Sequence, residues 1–289
     1  MRVETVTSAQ NPKFKDLLAL QEKSRLRREK GLFVVEGRRE LMHCLEAGYR
    51  LRTVFWCPDI LPAPELESLL QGQDVLRVEL PRPLYEKAAF RGGTEGVLAE
   101  VEWKTRTLAD LQLPENPLLL VLESVEKPGN LGAVLRSADA ARADAVILCD
   151  PLTDLYNPNL IRASVGAVFT VPVVAARSEE TIAWLKARHI RIYTAQLQDS
   201  ALYYETDLRG PSALVMGTES TGLTDLWRKA ADRHIRIPML GRLDSLNVSV
   251  SASILLFEAV RQRQKLIPAS PKTNITQAPR PSLLGMIKK

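Results

Sequence analysis

Three short stretches hold side chains whose types and spacing could do chemistry. In GNLGAVLRSADA, Gly129–Ala140, a helix running from Asn130 would project Asn130 and Arg136 toward one end of a sheet. A guanidinium stays protonated in proteins, so Arg136 is a poor general base and a good bidentate partner for phosphate. Its bland alternative is a surface cation in an ion pair. In LVMGTESTGL, Leu214–Leu223, Gly217 follows an apolar run that ends at Met216, with Glu219 just beyond. A glycine there lets the backbone approach a ligand without a Cβ in the way. In IRIPMLGRLDSLNVSVSASILLFEAV, Ile235–Val260, a short strand breaks at Pro238 and a polar loop leads through Ser245, Leu246 and Asn247 into a helix. Backbone carbonyls, the Ser245 hydroxyl and the Asn247 amide can hold a flat polar ligand by its edges. The same loop also reads as a capped helix start, with Ser245 or Asn247 as the cap.

The elements that must position these stretches alternate from residue 117 onward. LLLVLESV is a continuous apolar run, as in a strand buried on both faces. DAVILCD, VPVV, IRIYTA, SALVMG and HIRIP are further short strands. NLGAVLRSADAARA, PNLIRASVGAVF, EETIAWLKAR and a stretch after Gly222 are helices. That order predicts a parallel sheet with helices on both faces. The final helix carries Val248, Ala252, Leu255 and Ala259 on one stripe, with Val250, Ile254 and Phe257 off it. A helix apolar all round must be covered on more than one side, by a symmetric copy of the chain or by the first helix of the same subunit.

Residues 1–104 read as a small α/β domain, with LFVVEG, TVFWCP, DVLRVEL and GVLAEVEW as strands between helices. A helix ahead of them carries Lys23, Arg25, Arg27, Arg28 and Lys30, opposed by Glu22 and Glu29; it is a phosphate-binding surface or a solvated face. The Arg91–Gly96 turn either presents backbone amides to phosphate or is a flexible loop. The proline-bounded KTRTLADLQLPENP contains the linker, 105–116. A second domain spans 117–265, and a basic polar tail over 266–289 has the composition of disorder.

In order and spacing, the three stretches resemble the motifs of the SpoU (TrmH-like) RNA 2′-O-ribose methyltransferases of the SPOUT superfamily. The resemblance implies a parallel-sheet SPOUT domain tied in a deep trefoil knot. It also implies a preceding α/β domain like a ribosomal-protein RNA-binding fold, to which FVVEG and FRGGTEGVLAEV are similar. S-adenosyl-L-methionine would sit in the knot, held by Gly217, Ile237 and Leu246 first and by Thr194 and Met216 next, with Ile237 and Leu246 sandwiching the adenine. The resemblance places Arg136 near the ribose to be methylated, where it would grip the adjoining phosphate and align the 2′-hydroxyl. Glu219 would orient Asn130 or Arg136, and Ser245 and Asn247 would close the same pocket. The implied substrate is RNA, ribosomal rather than transfer RNA, and the implied assembly is a homodimer through the catalytic domain. The cofactor site would be self-contained, so the second domain is expected to bind cofactor without the first. Ala141-Arg142-Ala143 departs from the family's usual aromatic-glycine helix end. The alternative is a non-catalytic RNA-binding or ribosome-associated protein with the same fold.

Composition narrows the classes further. The 289 residues include 39 basic and 34 acidic side chains, a net charge of +5, so charge distribution matters more than its sum. Cys44, Cys57 and Cys149 form no CxxC pair, which fits a reducing, cytoplasmic setting. His43, His189 and His234 are scattered and no metal-ligand spacing occurs, so no metal is expected. MRVETVTSAQ lacks an apolar signal core, and no run reaches membrane-spanning length. Gly129–Gly132 has neither the GxGxxG nor the GK[ST] pattern, which disfavours a nucleotide-dependent enzyme.

Overall fold

The computed structural model describes residues 2–90, 95–218, 221–243 and 245–264. Expectations for Glu219, for Arg91–Thr94 in the glycine-rich turn and for the 266–289 tail lie outside the described residues. The rest forms two sheets. The first has strands β1 (Val3–Thr5), β2 (Leu32–Glu36), β3 (Leu51–Trp56), β4 (Leu76–Glu79) and β5 (Val97–Glu102), in the order β1-β4-β3-β5-β2. β1, β4 and β3 run parallel, and β5 runs antiparallel to β3 and β2. Helices α1 (Pro12–Glu22), α2 (Ser24–Lys30), α3 (Arg38–Glu46), α4 (Ala63–Leu70) and α5 (Arg82–Ala88) join them.

The second sheet contains β6 (Leu118–Glu123), β7 (Ala145–Cys149), β8 (Val173–Ala176), β9 (Arg191–Ala195), β10 (Ala201–Leu202), β11 (Ser212–Met216) and β12 (Arg233–Arg236). Their order is β10-β12-β9-β11-β6-β7-β8, and every pairing is parallel. Its helices are α6 (Pro128–Ala140), α7 (Pro158–Ser164), α8 (Ala167–Thr170), α9 (Ser178–Ala187), α10 (Asp225–Ala230) and α11 (Val248–Gln264). Along β6, Leu118, Leu120 and Leu122 enter one core, while Leu119 and Val121 enter the core on the opposite face. This is the strand buried on both faces that its apolar run predicts. The single helix expected over PNLIRASVGAVF is two, because Val165 (φ 56°) and Gly166 (φ 82°) turn the chain between α7 and α8.

One core runs through both sheets. Phe33, Val35, Val54, Trp56 and Ala99 of the first sheet pack in the same cluster as Leu120, Leu122 and the α6 and α11 residues of the second. At the seam the Phe33 ring stacks on Tyr156 at 4.1 Å, and Tyr49 and Tyr156 share a hydroxyl–hydroxyl hydrogen bond of 3.2 Å. Arg27 is buried there: its Nε donates to Asp154 Oδ2 at 2.7 Å, and its Nη1 donates to the carbonyls of Leu20 (2.7 Å) and Gln21 (3.0 Å). The basic N-terminal segment is two helices, and of its cluster Lys23, Arg25, Arg27, Arg28 and Lys30 only Arg27 is buried. Arg25 pairs with Glu29 at 2.6 Å and Lys30 with Asp16, which leaves Lys23 and Arg28 without an ion pair among the described residues. The connection before β6 is also fastened. Thr107 and Asp110 cap a 3-10 turn, Leu108–Asp110, and Leu108 is buried against the second sheet.

Candidate functional site

The loops after β9, β11 and β12 converge on a cavity of about 630 Å³, the size of a small-molecule site. Met216, Gly217, Ile237, Ser245, Leu246 and Asn247 all line it. Ile237 packs partly against the core, whereas Leu246 is 37% exposed, too open for a plain core residue.

Gly217 has a different reason for being glycine than ligand approach. A Cβ on it would lie 2.2 Å from the Gly222 carbonyl carbon and 2.5 Å from Leu223 N. The loop folds back on itself here, with Thr218 and Gly222 exchanging backbone hydrogen bonds of 3.2 and 3.1 Å. The side chain of Thr194 does not line this cavity. It is buried within β9, its hydroxyl hydrogen-bonds His234 Nδ1 at 2.6 Å, and Ala195 lines the cavity in its place. Side chains alternate along a strand, so neighbours face opposite ways.

A second cavity of about 190 Å³ adjoins the first and shares Gly217, Thr218 and Val248 with it. Lys127 and Asn130, at the start of α6, form its other side. Asn247 joins the two cavities. Its Nδ2 donates to Asn130 Oδ1 at 3.1 Å, and its Oδ1 accepts from Ser249 N (2.9 Å) and Ser249 Oγ (2.6 Å). It thus caps α11 and lines the larger cavity at once. Arg136 lies further along α6, exposed, outside both cavity linings and with no ion pair or hydrogen bond among the described residues. Its helix is held firmly: Ser137 Oγ meets Ser253 Oγ of α11 at 2.7 Å, and a Cβ on Gly132 would stand 2.5 Å from Ala163 Cβ of α7. Gly132 serves close helix packing.

Sequence reasoning missed three contributors. Glu123, at the end of β6, accepts from Thr224 N (2.9 Å) and Oγ1 (2.7 Å) and so fixes the start of α10 beside the cavity. Gln196 and Arg228 line the cavity itself. Their types carry no local signal, since one follows a strand and the other sits among polar helix residues. Burial pushes the Cys149 thiol up to about 12, so it is no nucleophile. Among the described residues no group of three His, Cys, Asp or Glu is placed to hold a metal ion.

The profile of the SpoU rRNA Methylase family matches residues 117–257, and that of the MRM3-like substrate binding domain matches residues 11–99. The chain is 30% identical over 272 residues to a 23S rRNA (uridine(2479)-2′-O)-methyltransferase of Streptomyces viridochromogenes, covering 89% of this chain and 92% of that protein. It is 36% identical over 218 residues to the 23S rRNA (guanosine-2′-O-)-methyltransferase RlmB of Pseudomonas putida, covering 72% and 88%. A solved AdoMet-bound rRNA methyltransferase from Sinorhizobium meliloti matches with a TM-score of 0.83 at 31% identity, over 90% of this chain and 98% of that one. With its three motif stretches following β6, β11 and β12 and these likenesses along its length, the chain belongs to the SpoU rRNA methylase family.

Proposed function

We propose that the protein methylates a ribose 2′-hydroxyl in ribosomal RNA, with S-adenosyl-L-methionine as methyl donor. The carrying observation is the pair of adjoining cavities joined by the Asn247–Asn130 hydrogen bond. The larger has apolar walls at Ile237 and Leu246 and polar groups at Ser245 and Asn247, which suits a nucleoside cofactor. When bound, that cofactor supplies an electrophilic methyl group on a sulfonium. The smaller cavity takes the target ribose. Asn130, held by Asn247, orients it, and the Arg136 guanidinium, unpaired among the described residues, grips the adjoining phosphate. The family resemblance gives Glu219, which lies outside the described residues, the role of orienting Asn130 or Arg136. The hydroxyl proton leaves to a phosphate oxygen or to water, since Arg136 stays protonated.

The 23S rRNA substrates named for the relatives favour ribosomal over transfer RNA, and residues 1–104 serve as the RNA-binding part. The placement of β12 between β10 and β9, with α11 returning to β6 and β11, supports a knotted thread. The working assembly is a homodimer through α11. Val250 (46% exposed) and Phe257 (47%) lie bare on that helix, and Leu240 and Leu243 are bare on the loop before it. No helix among the described residues is long and apolar enough to cross a membrane, and the three cysteines are free, in keeping with a cytoplasmic enzyme. The test is transfer of labelled methyl groups to 23S rRNA from cells lacking the protein. One ribose-methylated nucleotide is expected; no incorporation, with cofactor binding intact, would favour the non-catalytic reading.

A further inference from the structure

Two side chains on the wall of the larger cavity carry polar atoms that nothing among the described residues satisfies. Gln196 follows β9, and its amide orientation is set: Nε2 donates to Gln198 O at 2.9 Å. Its Oε1 is then buried and without a partner. Arg228, on α10, lines the same cavity with a buried, unpartnered Nε, and no carboxylate pairs with its guanidinium among the described residues. Native proteins leave few buried polar atoms unmatched, and those left near a site invite a ligand as the explanation. Here an orphaned acceptor and an orphaned donor border one ligand-sized space.

Their chemistry selects the group that answers them. An apolar group satisfies neither. A single carboxylate suits Arg228 and opposes Gln196 Oε1, and a single ammonium does the reverse; an amino-acid zwitterion answers both, and comparison with a dideoxy ribose separates it from the sugar. Two vicinal hydroxyls satisfy both, because each hydroxyl can donate or accept. The apolar walls at Ile237 and Leu246 suit a flat ring, which leaves the polar wall for a sugar. We propose that Gln196 and Arg228 grip the 2′- and 3′-hydroxyls of the cofactor's own ribose, one hydroxyl donating to Gln196 Oε1 and the other accepting from the Arg228 guanidinium. This rests on the larger cavity being the S-adenosylmethionine site. Both atoms are shielded from water in the free chain, so a side-chain rotation accompanies binding. Arg228 gives up no side-chain bond to the described residues in making it.

The test compares S-adenosylhomocysteine with its 2′,3′-dideoxy analogue by calorimetric titration on the full-length protein. The wild type is expected to bind the parent compound at least about tenfold more tightly, in line with two hydrogen bonds. Gln196→Leu and Arg228→Met should each shrink that ratio about threefold or more, and the double variant should bring it close to one. General damage to the cavity weakens both compounds alike and leaves the ratio standing, so the ratio isolates the contact. If either replacement unfolds the chain, Gln196→Ala and Arg228→Gln take their places. An unchanged ratio in the folded variants overturns the proposal and leaves the cofactor site intact. Failure of the wild type to bind S-adenosylhomocysteine at all overturns the cofactor reading and this one with it.

Discussion

The seam between the two sheets and the mouth of the cofactor cavity treat polar groups in opposite ways. At the seam, Arg27 finds a carboxylate and two carbonyls, Tyr49 and Tyr156 bond each other, and Lys104 Nζ donates to Ala47 O at 2.8 Å. At the mouth, among the described residues, Arg228 has no carboxylate and Gln196 Oε1 no donor, and Leu246 is 37% exposed; Arg136, further along α6 and outside the cavity linings, is likewise without a carboxylate among them. The first pattern is what folding alone favours. The second costs stability and makes sense where a ligand completes it. Motif membership alone does not mark such groups: Gly217 lines both cavities, yet a Cβ on it would strike the backbone of Gly222.

The largest effect expected concerns the seam as a whole. Sequence alone predicts a second domain that holds its cofactor unaided. The shared core argues otherwise. Removing residues 1–104 would strip Phe33 and Tyr49 from Tyr156 and Phe169 and leave Asp154 without Arg27. The truncated chain should aggregate or melt well below the intact protein, seen by light scattering and calorimetry. A soluble fragment with native cofactor affinity would show the seam to be dispensable. A milder break is Asp154→Ala, which leaves a buried guanidinium uncompensated and should cost ~3–5 kcal/mol in urea unfolding. At the cavity, Arg136→Ala should leave the urea midpoint and cofactor affinity near wild type while lowering methyl transfer about a hundredfold, or ~2.7 kcal/mol. If Arg136→Ala instead unfolds the protein, the contrast between a stabilising seam and a functional rim fails.

Much of this was legible in the sequence because it depends on local periodicity. The doubly buried β6 and the apolar stripe of α11 stand where the pattern places them, and the loop residues Ile237, Ser245, Leu246 and Asn247 line one cavity. What stayed hidden depends on contacts between distant residues. Arg27 reads as one more charge in a basic run until it meets Asp154, 127 positions away. Gly132 and Gly217 each signal a close approach, but not of what: α7 for one, the loop's own backbone for the other. Thr194 turns its side chain away from the cavity because one position along a strand reverses the face. Gln196 and Arg228 carry no pattern at all and emerge only from the absence of partners.

The smallest effect tests whether the rule of unpaired groups extends to the N-terminal helices. Of the basic cluster, Arg25 and Lys30 are held by Glu29 and Asp16, while Lys23 and Arg28 are exposed and unpaired among the described residues. A cation already paired must break that bond to meet a phosphate, and a free one loses only side-chain freedom and its hydration. If this surface touches RNA, replacing Lys23 and Arg28 by Gln should weaken binding a few-fold and flatten the salt dependence, by about 0.9 in log–log slope per lost double-helical phosphate contact. The same change at Arg25 and Lys30 should do less to affinity. Filter-binding titrations from 50 to 200 mM salt, on the order of the range where such contacts are most visible, measure both. Equal slopes for the two pairs would mean that the cluster is a solvated face, and that the RNA path runs over the cavity rim alone.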